Sequence, residues 1–254
     1  MKALALGLFV VIASVAGGGI AASAVEIKLL TAGAMRTVVV ALLPDFEKST
    51  GNKVTFDNAT AGNLAKRINE GEAFDVALIT PAVVDDLANN GKIVAGTRVD
   101  IAKVGMGVVV KEGAAAPDIG TVDAFKRMLV AAKSVAYIDP ASGGSSGIYF
   151  DKLLDRLGIA DQVRPKAKLK QGGYVAELIA SGEAEIGVHQ ISEIVPIKGV
   201  VLVGPLPAAI QHATIYSAGI STGAKDASAA KALIEFLAGP ASDSILKAKG
   251  MERP

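Results

Sequence analysis

The chain alternates short apolar runs with segments of helical spacing, and this order limits the folds open to it. Glu26–Leu30 reads as a strand that ends at Thr31-Ala-Gly33. The segment from Met35 to Ser49 follows, with apolar residues at Val38, Val39, Leu42, Leu43 and Phe46, the spacing of a helix. Pro44 lies inside it and is expected to kink the helix or split it. Lys53–Phe56 alternates as a strand should, and a helix is expected from Asn63 to about Asn69. Phe74–Ile79 is almost continuously apolar, as in a parallel strand buried on both faces. Pro81 opens the next helix and Gly91 ends it. Strands alternating with helices predict a parallel sheet in an α/β layer, and ligands of such sheets bind beyond the strand ends.

Residues 97–111 form one long extended stretch with glycines at 105 and 107, which reads as a crossing into a second lobe. The alternation then repeats. Helices are expected at 122–132, 146–157 and 174–181, and strands at 134–138, 167–170, 184–188 and 200–203. A second extended stretch, 214–221, returns the chain to the first lobe, and helices at 226–238 and 242–249 close it. The expected lobes are 25–104 plus 214–254, and 105–213. Two strand-like crossings make a hinge, and a hinge implies closure around a ligand.

The start of the chain reads as an export address. Lys2 precedes an apolar run, Ala3–Val15, followed by a glycine cluster and Ala22-Ser-Ala24. This is the pattern of a secretory signal peptide with cleavage after Ala24, and the run is too short for a membrane span. Loss of Lys2 leaves a mature chain of zero net charge, destined for the periplasm. With 51% hydrophobic and 20% charged residues, the chain can bury a core. The charge balance gives no footprint for nucleic acid. There is no cysteine and there are only two histidines, His189 and His212, which excludes thiolate metal sites and disulfides and argues against a resident metal. No cofactor is expected, since nucleotide-binding glycine motifs are absent.

Three segments together carry a resemblance: Thr31-Ala-Gly-Ala-Met35, Ala59-Thr-Ala-Gly-Asn-Leu64 and Ala73-Phe-Asp-Val-Ala-Leu-Ile-Thr80. With the export signal, they resemble the periplasmic solute-binding proteins of ABC importers, and among these the molybdate-binding branch. In the second half, Asp139-Pro140 with Ser146-Gly-Ile-Tyr149, and Ile186-Gly-Val-His-Gln190, are similar to that branch. The resemblance spans residues 25–254. It implies a two-lobed α/β fold of type II, a monomer that delivers a small anion to a membrane permease, and no enzyme activity. It also implies an anion held by hydroxyls and by backbone N–H groups at helix N-termini, where the helix dipole favours negative charge. The joins at 31–35, 59–63, 143–147 and 171–174 would then converge on one cleft. The candidate ligand residues are Thr31, Ala34, Arg36, Thr60, Ala61, Ser146, Gly172, Gly173, Tyr174, His189 and Gln190.

The chain departs from the branch at three of these positions. Two serines of the first lobe fall on Ala34 and Ala61, and a tyrosine of the second falls on Gln190. Each buried acceptor left without a donor costs about 1–3 kcal/mol. Two losses weaken an oxyanion complex by roughly 30-fold to 10⁴-fold. The expected ligand is therefore an anion that need not be molybdate, with a small organic carboxylate open beside it. Arg36 could supply a fork to such a ligand and His189 a switchable donor. A different class of function is suggested by Gly143-Gly-Ser-Ser-Gly147, which matches the nucleophile elbow of serine hydrolases. An esterase would need a strand directly before it and a histidine partner for Ser145. A regulatory effector domain of the same fold would need a DNA-binding segment where the export signal stands.

Overall fold

The structure, a computed structural model, describes residues 24–254; the expected export signal, apart from Ala24, lies outside the described residues. Among the described residues there are nine strands and ten α-helices, mostly in alternation. The strands are β1 Glu26–Ala32, β2 Lys53–Ala59, β3 Val76–Ile79, β4 Val99–Lys111, β5 Val135–Ile138, β6 Ala167–Lys170, β7 Ile186–Gln190, β8 Val200–Pro205 and β9 Ala213–Ile220. The helices of the first half are α1 Arg36–Thr50, α2 Ala61–Asn69 and α3 Pro81–Asn89. Those of the second half are α4 Val122–Ala131, α5 Ser145–Arg156, α6 Ala160–Val163, α7 Ala176–Ser181 and α8 Ile191–Ile194, and α9 Ala227–Ala238 and α10 Asp243–Ala248 close the chain.

Sheet order is β2-β1-β3-β9-β4-β7-β5-β6, with β8 paired to β4. β1 runs parallel to β2 and β3, and β5 runs parallel to β6 and β7. β4 joins the two halves. Its residues 99–105 pair with β9, and 106–111 pair with β7 and β8. One strand thus belongs to both halves, and the core divides at the same point. One buried cluster draws on residues from Ile27 to Val104 and from Tyr216 to Met251. The others draw on residues from Met106 to Leu206.

Helix α1 runs unbroken through Pro44, against the expectation of a split. Proline removes the N–H that would bond the carbonyl four residues earlier, that of Val40. Val40 is 50% exposed and Pro44 is exposed too, so the freed carbonyl lies on the solvent side. The apolar stripe Val38, Val39, Leu42, Leu43 and Phe46 stays buried and holds the helix together. Helix α2 starts two residues earlier than expected because Thr60 caps it, its Oγ1 accepting from the Asn63 N–H at 3.3 Å.

The first turn of α5 packs on the end of β5 so closely that Gly147 has no room for a side chain. A Cβ there would lie 2.1 Å from the Ile138 carbonyl oxygen, a backbone atom that cannot swing away. Alanine normally improves a helix interior. Gly147→Ala should instead destabilise by about 1–3 kcal/mol, lowering Tm by roughly 2–10 °C in a thermal melt.

Candidate functional site

The parallel strands of both halves end at one cavity of about 730 Å³. After β1 come Gly33 and Ala34, and after β2 come Thr60, Ala61, Gly62 and Asn63. The opposite wall holds Ser142–Ser146 after β5, Gln171–Gly173 after β6, His189 and Gln190 at the end of β7, and Glu193 in α8 just after it. Tyr216 reaches in from β9, the strand shared with the first half.

The two walls touch. Gly62 N–H donates to the Gly143 carbonyl at 3.1 Å, and Thr60 Oγ1 donates to the Ser142 carbonyl. A Cβ on Gly62 would meet Gly143 Cα at 2.7 Å, and one on Gly143 would meet Gly62 Cα at 2.6 Å. Gly143 also has φ +73°, which favours glycine. At the rim, Arg36 Nη1 donates to the Tyr174 hydroxyl at 3.2 Å, a second bridge between the halves. The halves therefore meet across the cleft, and two glycines permit their closest approach. Gly62→Ala should hold the halves apart, raising the radius of gyration in X-ray scattering while leaving Tm within about 2 °C of the parent, because each core is untouched.

The cavity is rich in donors. The turn Gly33–Met35 and the first turn of α5 carry no side-chain cap, so their leading N–H groups are free to face an anion. Tyr216 OH donates to Gln190 Oε1 at 2.7 Å, and Gln190 Nε2 donates to Ser145 Oγ at 3.3 Å. These bonds fix the Gln190 amide and aim the Ser145 hydroxyl. Burial holds the Tyr216 phenol above its ordinary pKa, with the Glu193 charge adding to it. Lys66 stands in the wall but is exposed, 3.9 Å from Glu70.

One acid–base pair lies in this wall. His189 Nε2 is 3.3 Å from Glu193 Oε2, with the two side chains 1% and 8% exposed. Burial pushes the Glu193 carboxyl up to about 8, and burial together with the Lys170 charge pushes the His189 imidazole down to about 3. Both groups are thus neutral at pH 7. His189 Nδ1 has no partner, and Glu193 Oε1 occupies the space where a Cβ on Gly33 would stand, 2.8 Å away.

The pair sets a pH dependence of stability. Between pH 4.5 and 8 the unfolded chain loses the Glu193 proton that the folded chain keeps, so stability falls as pH rises. Between pH 3 and 6.5 the unfolded chain gains a proton at His189 that the folded chain refuses, so stability rises. The two effects oppose each other from pH 4.5 to 6.5 and leave a net fall from 6.5 to 8. Tm should decline across that upper window, and Glu193→Gln should flatten the decline.

Of the candidate residues, Ala34, Thr60, Ala61, Ser146, Gly172, Gly173, His189 and Gln190 line the cavity. Thr31, Arg36 and Tyr174 do not. Thr31 is fully buried beneath it, with Oγ1 bonded to the Ala32 carbonyl at 3.3 Å, while Arg36 and Tyr174 engage each other at the rim. The sequence reading missed Glu193, Ser145 as a pocket hydroxyl, and Tyr216. The signal for Glu193 was slight: an acid four residues after His189, flanked by Ile191, Ile194 and Val195. Tyr216 carried no local signal, because only the sheet order brings β9 to the cleft.

The elbow motif has a packing explanation. Gly143 meets Gly62, Gly144 and Gly147 meet Ile138, and a short 3₁₀ turn, Pro140–Ser142, separates β5 from Ser145. Ser145 Oγ has Gln190 and Tyr216 as neighbours rather than a histidine. His212 stacks on Tyr149, ring centroids 4.3 Å apart. The esterase reading has no support.

Among the described residues no group of three His, Asp or Glu side chains could hold a metal, and no helix is long and apolar enough to cross a membrane. Comparison with known proteins gives a consistent picture. The chain is 30% identical to an aconitate isomerase of a Pseudomonas species over 230 residues, covering 88% of this chain and 86% of that one. It is 28% identical to the molybdate-binding protein ModA of Azotobacter vinelandii over 241 residues, 91% of each. The solved periplasmic molybdate-binding protein of Azotobacter vinelandii superposes with a TM-score of 0.77 at 21% identity, covering 90% of this chain and all of that one. The family model for bacterial extracellular solute-binding proteins matches residues 27–252, and the chain belongs to that family.

Proposed function

We propose that the protein is the periplasmic solute-capturing component of an ABC-type importer, and that its solute is a small organic acid carrying more than one carboxylate. The observation that carries this reading is the cavity of about 730 Å³ between the touching halves, with uncapped N–H groups on both walls. That volume is within the range of sites for organic ligands. A five-atom tetrahedral oxyanion would leave most of it to water. Ala34 and Ala61 put methyl groups where the molybdate-binding resemblance implies hydroxyls, which weakens the case for a bare oxyanion. The named relatives include both a molybdate binder and a protein named for an organic tricarboxylate.

On this reading the lobes are 25–104 plus 214–254, and 105–213, a division supported by the separate cores. The protein leaves the cytoplasm through its N-terminal signal, cut after Ala24, and works as a monomer. It hands its ligand to a membrane permease. Capture rather than turnover is the role the family supports. One observation favours turnover as a second reading: the isomerase relative, taken with a buried carboxyl and imidazole in the cavity wall.

A thermal-shift panel of molybdate, tungstate, sulfate, phosphate, citrate, cis-aconitate, malate and succinate tests the proposal. A ligand at 100 times its Kd adds about 2.7 kcal/mol, a rise of roughly 5–10 °C. The rise should come with a di- or tricarboxylate. A rise with molybdate or tungstate alone would overturn the organic-acid reading, and backbone donors would then replace the missing hydroxyls.

A further inference from the structure

Among the groups that line the cavity, one has no place in a site that merely holds an anion. Hydroxyls of Ser145, Ser146 and Tyr216, the Gln190 amide and the free N–H groups of two turns are all donors or partners of donors. Glu193 is a carboxyl set against them, 8% exposed, with the His189 ring at 3.3 Å as its neighbour. Its Oε1 reaches the opposite half, over Gly33, beside the uncapped turn that leads into α1. A carboxyl placed there adds nothing to anion capture and offers a proton acceptor and donor beside the bound ligand.

We propose that Glu193, positioned by His189, moves a proton on an unsaturated carboxylate held in the cleft, shifting its double bond by one carbon. This rests on the organic-acid reading of the cavity. The Glu193 carboxylate takes a proton from a CH₂ that lies between the double bond and a carboxylate. The C–H electron pair becomes the new double bond. The old π pair takes a proton at the far carbon, returned from the same carboxyl. No atom is gained or lost, and no oxidant, reductant or cofactor is needed. Charge that builds on the ligand carboxylate during the shift faces the free N–H groups of the Gly33 turn and of α5, the arrangement that stabilises an enolate-like state.

The groups around the carboxyl fit the task. The neighbours that titrate or carry charge are His189, the Tyr216 phenol, Lys170 acting on His189, and the exposed Lys66 in the wall of the first half. A carboxyl that ionises near pH 8 both accepts and returns a proton under physiological conditions, as a general acid–base needs. The rate should therefore climb between pH 6 and 8, as the carboxylate form grows.

Protein purified from the full expressed chain should be incubated with cis-aconitate and, separately, itaconate in D₂O and followed by proton NMR. Titration calorimetry measures binding of the same acids. The expected result is deuterium entering the CH₂ of a bound acid, with the shifted isomer appearing. Glu193→Gln should slow this at least about 100-fold, with affinity reduced by less than tenfold. His189→Gln should slow it and move the pH profile, which a purely structural role would not do. Binding without deuterium entry in the parent protein overturns proton transfer and leaves the capture reading standing. No binding of any carboxylate in the panel overturns both. Exchange that persists in folded Glu193→Gln assigns the proton elsewhere and overturns the role of Glu193. If that variant fails to fold, the parent's exchange and the His189→Gln pH profile decide the matter.

Discussion

The closed form of the molecule depends on one close approach of backbone to backbone, Gly62 against Gly143. The N–H of the first donates to the carbonyl of the second at 3.1 Å, and neither position has room for a Cβ. Each glycine starts or precedes a helix at the end of a parallel strand, so the contact ties two strand ends from different halves. That contact and β4, the strand both halves share, hold the two walls of the cavity against each other.

The electrostatics of the cavity come from dipoles and burial rather than from formal charge. Residues 25–254 balance their acids and bases, and the one cationic side chain among the lining residues, Lys66, is exposed. Anion affinity therefore has to come from helix and turn N-termini and from oriented hydroxyls, which lose little to salt screening when buried. The same burial that strengthens these donors keeps Glu193 protonated and His189 unprotonated at neutral pH. A neutral carboxyl does not repel the ligand, and it holds a proton close to it. Desolvation thus serves capture and sets the acid–base state of the pair.

Much of the fold was legible in the sequence because apolar periodicity reports local burial. The runs at Phe74–Ile79 and Val135–Ile138, and the stripe of α1, are buried as their spacing implies. The long stretch expected at 97–111 is one strand, Val99–Lys111, shared by both halves. Pro44 misled because a proline on an exposed helix face costs a hydrogen bond that water replaces. The site was legible only in part. Glycine-rich joins pointed to Gly62, Gly143 and Gly172, since a turn that packs tightly must be written in glycine. Tyr216 was invisible because its approach to Gln190 is set by the placement of β9 between β3 and β4. Arg36 drew notice for its charge, yet its position at the start of α1 sends it to Tyr174 at the rim. Glu193 was passed over because the short segment after His189 mixes polar and apolar residues and shows no periodicity that marks it as buried.

The measurement that tests the account most directly is a crystal structure of the protein with citrate or cis-aconitate bound. The account predicts the acid enclosed between the halves, one carboxylate on the N–H groups at Ser145 and Ser146, and another near the Gly33 turn, with its carbon chain against Glu193. An acid found outside the cleft, or a cavity holding only a tetrahedral oxyanion at the Gly33 turn with Glu193 turned away, would contradict it.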